Sequence, residues 1–139
     1  MIPFRTTRRV EFCDTDMAGI AHFANFFRWM ESAEVEFLRA RGLSVKLDWE
    51  GQTLGFPRVS ATCDFMKPAR FQDLLDIAVA IERIGAKSVT YAFEFTCNGA
   101  VLARGKVTSA CCRVHGDNQL EAIEIPASYR ARLEAEPRP

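Results

Sequence analysis

The sequence predicts an α+β fold in which one long helix lies against an antiparallel sheet, and three observations predict it. Large apolar residues recur at positions 23, 26, 27, 30 and 37 with Ala33 between, the 3.6-residue spacing of a helix that buries one face. Four later segments alternate apolar and polar residues with the period of two that a half-buried strand requires. Between two of them stands Asn98-Gly99, a dipeptide that accepts the positive φ angles of a two-residue hairpin turn.

The elements follow in order. Residues 4 to 13, rich in Thr, Val and Phe, predict a first strand. The apolar stripe from Phe23 predicts a helix that runs until Gly42 stops it. About twenty residues at ~1.5 Å each span roughly 30 Å, enough to cross a sheet. After a connecting stretch, strands are expected over 56–66, 74–84, 88–97 and 101–114. Turn signals at 84–87 and 98–99 join the last three into a meander. In the 88–97 strand Val89, Tyr91, Phe93, Phe95 and Cys97 share one face, so that face belongs to a core. Pro126 predicts a short helix over 126–134, followed by a frayed end. Such a sheet exposes edges and an outer face, and self-association into a homodimer or homotetramer is the expected cover.

Composition narrows the class. The 139 residues suit one domain, 1–139, and 48% hydrophobic against 26% charged residues suits a soluble globular chain. Eighteen Lys+Arg balance eighteen Asp+Glu, so the basic surplus that nucleic-acid binding demands is missing. The cysteines at 13, 63, 97, 111 and 112 are odd in number and match no zinc spacing, which predicts free thiols in a reducing compartment. No apolar run follows Met1-Ile2-Pro3-Phe4-Arg5, so the expectation is no signal peptide, no membrane span and a cytoplasmic location.

Chemistry concentrates between the first strand and the helix, where Cys13-Asp14-Thr15-Asp16-Met17-Ala18-Gly19-Ile20-Ala21-His22-Phe23-Ala24-Asn25 brings together two acids, a glycine, a histidine and an asparagine. The residues by themselves fit two readings. Asp and Asn before a helix serve as caps and turn formers in any protein. A polar loop at a helix N-terminus is also a ready reactive site, because free amide N–H groups there favour negative charge and an aspartate can act as nucleophile or base. His22 has no second ligand at metal spacing, so no metal is assigned and a hydrogen-bonding role is expected. Asn25 could orient water or cap the helix. Glu31 and Glu34 are expected on a solvated or interface face.

The run Asp14-Thr15-Asp16-Met17-Ala18-Gly19-Ile20 followed by Phe23-Ala24-Asn25-Phe26-Phe27-Arg28-Trp29-Met30 resembles the signature of the 4-hydroxybenzoyl-CoA thioesterase family. The likeness continues more weakly through Gly55-Phe56-Pro57-Arg58-Val59-Ser60, Lys87-Ser88 and Ala122-Ile123-Glu124-Ile125-Pro126. It implies the hotdog fold, a five-stranded antiparallel sheet wrapped around one long central helix. It also implies hydrolysis of an acyl-CoA thioester, with no cofactor because coenzyme A is part of the substrate. By the same resemblance Asp16 is the catalytic carboxylate, acting as nucleophile or general base, and Asp14 is structural. The backbone amide of Phe23 is implied as the donor to the thioester carbonyl, a role that needs no particular side chain. Many relatives carry Tyr or His where this chain has Phe23, and here the histidine comes one place earlier. His22 and Asn25 are the candidate substrate contacts near the thioester. Arg83, Lys87 and Ser88 are the candidates for the phosphates of coenzyme A, with a plain hairpin turn as their other reading.

Two rival functions use the same residues. A hydratase or dehydratase of acyl thioesters would need a histidine to move a proton, and His22 is the one available in the motif. A non-catalytic binding dimer would use Asp16 only as a cap.

Overall fold

Phe26, Trp29, Met30, Ala33, Phe37 and Leu38 are all buried, which makes the apolar stripe the inner face of helix α1 (Ala24–Arg39). The computed structural model describes residues 3–136. Strand β1 (Phe4–Arg9) precedes the helix, and β2 (Lys46–Trp49), β3 (Gln52–Gly55), β4 (Arg58–Phe65), β5 (Leu74–Ile84), β6 (Ser88–Cys97), β7 (Ala100–Ala110), β8 (Cys112–Val114) and β9 (Leu120–Ala122) follow it. Helix α2 (Ala127–Glu134) ends the described fold, and residues 137–139 of the expected frayed end lie outside the described residues.

The main sheet is five-stranded and antiparallel, in the order β1-β5-β6-β7-β4. Its inner face follows the alternation of β6, where Val89, Tyr91, Phe93, Phe95 and Cys97 are buried in register. Helix α1 lies on that face: Phe37 meets Tyr91 edge to face at 5.6 Å, and Phe26 meets Phe95 at 5.1 Å. Gly105 on β7 permits this approach, because a Cβ there would strike the Met30 side chain and stand 3.0 Å from the Thr62 carbonyl oxygen.

Several expectations need correction. The architecture is not a single sheet around a long helix, since a second sheet, β2-β3-β8-β9, joins the first. The connecting stretch holds the β2–β3 hairpin, whose turn residues Glu50 and Gly51 both have positive φ, 48° and 79°. A glutamate there masked the turn signal. The expected strand over 101–114 breaks at Cys111, so that β8 leaves β7 and pairs with β3 and β9.

The helix is also shorter than expected, 16 residues or about 24 Å. Gly42, at φ 69°, closes it as the left-handed residue of a Schellman end, with the Leu43 N–H donating to Leu38 O at 2.9 Å and the Gly42 N–H to Arg39 O at 3.0 Å. The first strand likewise stops at Arg9, and Phe12–Asp14 turn as a short 3₁₀ helix.

Glu34 corrects the expectation of a solvated or interface face. It is 2% exposed, one turn from Met30 and Phe37, and its carboxylate is paired with the Arg58 guanidinium at the start of β4. Burial raises the Glu34 carboxyl above its ordinary value while Arg58 pulls it back down. Glu31 is exposed, as expected.

Candidate active site

The loop from Thr15 to Ala21 is drawn shut by its own backbone. The Asp16 N–H donates to Ile20 O at 3.0 Å, the Gly19 N–H to Asp16 O at 2.9 Å, and Gly19 takes the positive φ of 79° that the reversal requires. The Asp16 carboxylate accepts the Ala18 N–H at 2.9 Å, a local Asx turn that fixes the direction of its side chain. Bridges from Ile20 to Arg70 and from the Ala21 N–H to Ala69 O fasten the loop to the segment before β5.

Asp14 is the foundation of this loop. Its carboxylate accepts the Glu11 N–H at 2.8 Å, and its carbonyl oxygen accepts both the His22 N–H at 2.8 Å and the Asn25 side-chain amide at 2.7 Å. The Asn25 side chain therefore ties the first helical turn to the loop and does not cap the helix. Helix capping falls to His22, whose Nδ1 accepts the Ala24 N–H at 3.2 Å while its ring stacks on Phe23 at 4.8 Å.

The amides at the helix start are then nearly all satisfied. Ala24 donates to His22 Nδ1, Asn25 to His22 O at 3.0 Å, and Phe26 to Phe23 O at 3.1 Å. Among the described residues the Phe23 N–H has no acceptor. An unpaired amide at the positive end of a helix is a site for developing negative charge.

Asp16 and Phe23 line one crevice of about 410 Å³, whose other walls are Ile20, Ala21, Phe26, Phe65, Met66, Lys67, Pro68 and Ala69. Asp16 and Phe23 are both exposed to that space. Phe65 ends β4 and meets Phe26 edge to face at 5.2 Å. Sequence reasoning placed neither Phe65 nor Met66 at the site, because they come from a strand end about fifty residues away and only pairing of the sheet brings them in. A hollow of about 420 Å³ on the outer sheet face, beside Ala78, Ala92 and Arg104, touches none of these residues.

Arg83, Lys87 and Ser88 are not brought to Asp16 within the chain. Phe65 pairs with Ala103 and Ala103 with Phe95, whereas Ser88 lies seven positions further along β6, about 24 Å away. Arg83 and Lys87 are exposed at that far end. For a metal, the described residues offer one cluster, Glu11, Cys13 and Asp14 within 4.8 Å of one another, but the Asp14 carboxylate is engaged by the Glu11 N–H and the Cys13 thiol by Glu11 at 3.7 Å. No described helix is long and apolar enough to cross a membrane.

A helix laid on an antiparallel sheet in this way is the fold of the hotdog thioesterases, and the acidic loop before the helix opens here onto an apolar crevice. Residues 10–133 match the Thioesterase-like superfamily, and the chain belongs to that family. It is 30% identical over 132 residues to the 4-hydroxybenzoyl-CoA thioesterase of Pseudomonas sp. (strain CBS-3), covering 88% of this chain and 91% of the relative. It is 32% identical over 108 residues to the 1,4-dihydroxy-2-naphthoyl-CoA hydrolase of Nostoc punctiforme, covering 78% of this chain and 73% of the relative. Among solved structures, a gentisyl-coenzyme A thioesterase superposes with a TM-score of 0.77 at 30% identity over 91% of this chain and 99% of the other. A mutant 4-hydroxybenzoyl CoA thioesterase bound to 4-hydroxybenzoyl CoA superposes at 0.82 with 23% identity, covering 96% and 100%, a likeness of fold.

Proposed function

We propose that the chain hydrolyses an acyl-CoA thioester to the free acid and coenzyme A, with the Asp16 carboxylate as nucleophile or general base. One observation carries the reading: Asp16 shares its crevice with Phe23, whose N–H is the amide at the helix start that has no acceptor among the described residues. In the general-base route Asp16 takes a proton from water as the water oxygen attacks the carbonyl carbon. The carbonyl oxygen gains negative charge and the Phe23 amide stabilises it, an effect typically worth ~3 kcal/mol. Collapse expels the coenzyme A thiolate, which takes up the proton. In the nucleophilic route Asp16 itself bonds to the carbon, the C–S bond breaks to release the coenzyme A thiolate, and water then opens the anhydride to the free acid and the Asp16 carboxylate, its proton passing to the thiolate. Asn25 and Asp14 hold the loop rather than touch the reacting atoms.

A hydratase or dehydratase reading has less support, because His22 Nδ1 is occupied by the Ala24 N–H and its ring is stacked on Phe23. Arg83, Lys87 and Ser88 suit coenzyme A phosphates only if they come from another copy, given their distance from Asp16 in one chain. Strand β4 favours self-association. It is an edge of the main sheet, and all of its residues except Cys63 are exposed.

The test is thiol release from a panel of acyl-CoAs. Asp16→Asn keeps an oxygen for the Ala18 N–H and is expected to fold normally while losing about 10² to 10⁴ in kcat. Phe23→Pro removes the amide proton at a residue whose φ of −58° already suits proline, and it is expected to lose about 10² to 10³. Phe23→Leu, which keeps the N–H, should retain activity. Full turnover in Asp16→Asn would refute the assignment.

A further inference from the structure

We propose that His22 is a positioning residue: as the neutral imidazole it holds the Phe23 amide where the thioester carbonyl needs it, and protonation of the ring releases that hold. The inference rests on the thioesterase reading and adds a control of that same site.

The bond that caps the helix has a direction. The Ala24 N–H donates to His22 Nδ1 at 3.2 Å, so Nδ1 presents its lone pair and the ring proton sits on Nε2. An imidazolium carries a proton on both nitrogens and accepts nothing. Once charged, the ring would set an Nδ1–H against the Ala24 N–H, two donors at hydrogen-bond distance, at the end of the helix whose dipole repels a cation. The ring must then swing out, which also ends its stacking on Phe23 at 4.8 Å and 27°.

The Phe23 amide is tied to that ring through the backbone. His22 O accepts the Asn25 N–H at 3.0 Å, and across a planar trans peptide this aims the Phe23 N–H the opposite way. The peptide between His22 and Phe23 thus takes its orientation from the residue whose ring holds Ala24. Asp14 anchors the other side, its carbonyl oxygen accepting the His22 N–H at 2.8 Å. All of these contacts lie within one chain.

The charged side chains on the elements that meet this turn are Asp14 and Asp16 before it, Arg28 on α1, Asp64 beside Phe65 on β4, and Lys67 and Arg70 before β5. Among the described residues His22 forms an ion pair with none of them, so no carboxylate holds the ring in its charged form.

The test is the pH profile of thioester hydrolysis, read by loss of thioester absorbance with 4-hydroxybenzoyl-CoA and hexanoyl-CoA as probes. Wild type is expected to lose at least about fivefold in kcat on acidification from about pH 8 to 5, the range in which histidine changes charge, with KM little changed. His22→Ala, which offers Ala24 no acceptor, should fall about tenfold or more in kcat at neutral pH and show no step in that range. His22→Asn, whose side-chain oxygen can accept an N–H two residues on without titrating, should recover most of kcat at neutral pH and also lack the step. His115→Gln should leave the profile as it is, His115 being the other histidine and paired with Glu121. Three results would overturn the inference and leave the hydrolase reading standing: a wild-type profile flat down to about pH 4.5, where carboxylates ordinarily take up protons, a step that survives in His22→Asn, or wild-type kcat in His22→Ala. Nitrogen-15 NMR needs no turnover. The neutral ring should carry its proton on Nε2, and the Phe23 and Ala24 amide resonances should move with its titration, in wild type and in Asp16→Asn. If the protein hydrolyses no thioester yet shows this, the hydrolase reading fails and the positioning role stands; a neutral ring with its proton on Nδ1 overturns the role whatever the turnover.

Discussion

The Asn25 side chain donates a 2.7 Å hydrogen bond to the carbonyl oxygen of Asp14, eleven residues earlier in the chain. That bond makes the first turn of α1 and the loop carrying Asp16 one rigid unit. In the proposed mechanism it also couples the two groups that act on one carbonyl, since the Phe23 amide belongs to the turn and the Asp16 carboxylate to the loop.

Asn25→Ala should therefore impair catalysis more than folding. A lost internal hydrogen bond costs about 1 kcal/mol of stability, whereas a misplacement of ~1 Å between reacting groups costs about 10²-fold in rate. The expected outcome is kcat lower by about 10- to 100-fold with KM little changed and the thermal midpoint down by only a few degrees. A fall in affinity at unchanged kcat would assign Asn25 to substrate contact instead. Steady-state kinetics beside a melting curve decides between them.

Arg58→Ala should destabilise the protein in a pH-dependent way. The Glu34 carboxylate is 2% exposed and Arg58 is its partner, so truncation leaves a buried charge unpaired. The cost at neutral pH is expected near 3 kcal/mol, the lower end for such a loss because the arginine side chain is 29% exposed. Without Arg58, the pull that lowers the Glu34 carboxyl is gone and burial raises it further above its ordinary 4.5. The folded state then holds a proton that the unfolded state has released. Stability of the variant must fall as pH rises through the window that opens at about 4.5, and recover on acidification. Denaturant midpoints of wild type and variant between pH 5 and 8 should diverge with rising pH. Parallel curves would show that Glu34 is not the group responsible.

Gly105→Ala should strain the contact between helix and sheet. The added methyl meets Met30, which is fully buried and has little room to yield, and the Thr62 carbonyl oxygen at 3.0 Å. Overpacking of this kind costs about 1 to 3 kcal/mol. A urea midpoint lowered at unchanged slope is the expected signature, and an unchanged midpoint would mean that the helix shifts freely on the sheet.

Much of the main sheet was legible because its cause is local. The alternation of β6 and the Asn98-Gly99 turn follow from residues adjacent in the chain, and the strands over 74–84 and 88–97 lie where the pattern puts them. The β2–β3 hairpin was missed because Glu50 stands where a turn usually shows Asn or Asp. Glu34 was misplaced because helical periodicity says which face turns inward but not whether an arginine waits there. The candidate site divides in the same way. Asp14, Asp16, His22, Phe23 and Asn25 are neighbours in sequence, and their motif could be recognised. Phe65 and Met66 could not, since β4 reaches the site only through its pairing with β7.

The sequence by itself determined the antiparallel sheet, the helix that covers it and the acidic loop before that helix, because each depends on periodicity or turn chemistry within a short stretch. Only the tertiary structure decided that Asn25 grips Asp14, that His22 caps the helix and leaves the Phe23 amide without an acceptor among the described residues, and that Phe65 walls the crevice. Those facts depend on which groups meet across the fold, and a hydrogen bond or a ring contact exists only when the packing of distant segments sets its distance.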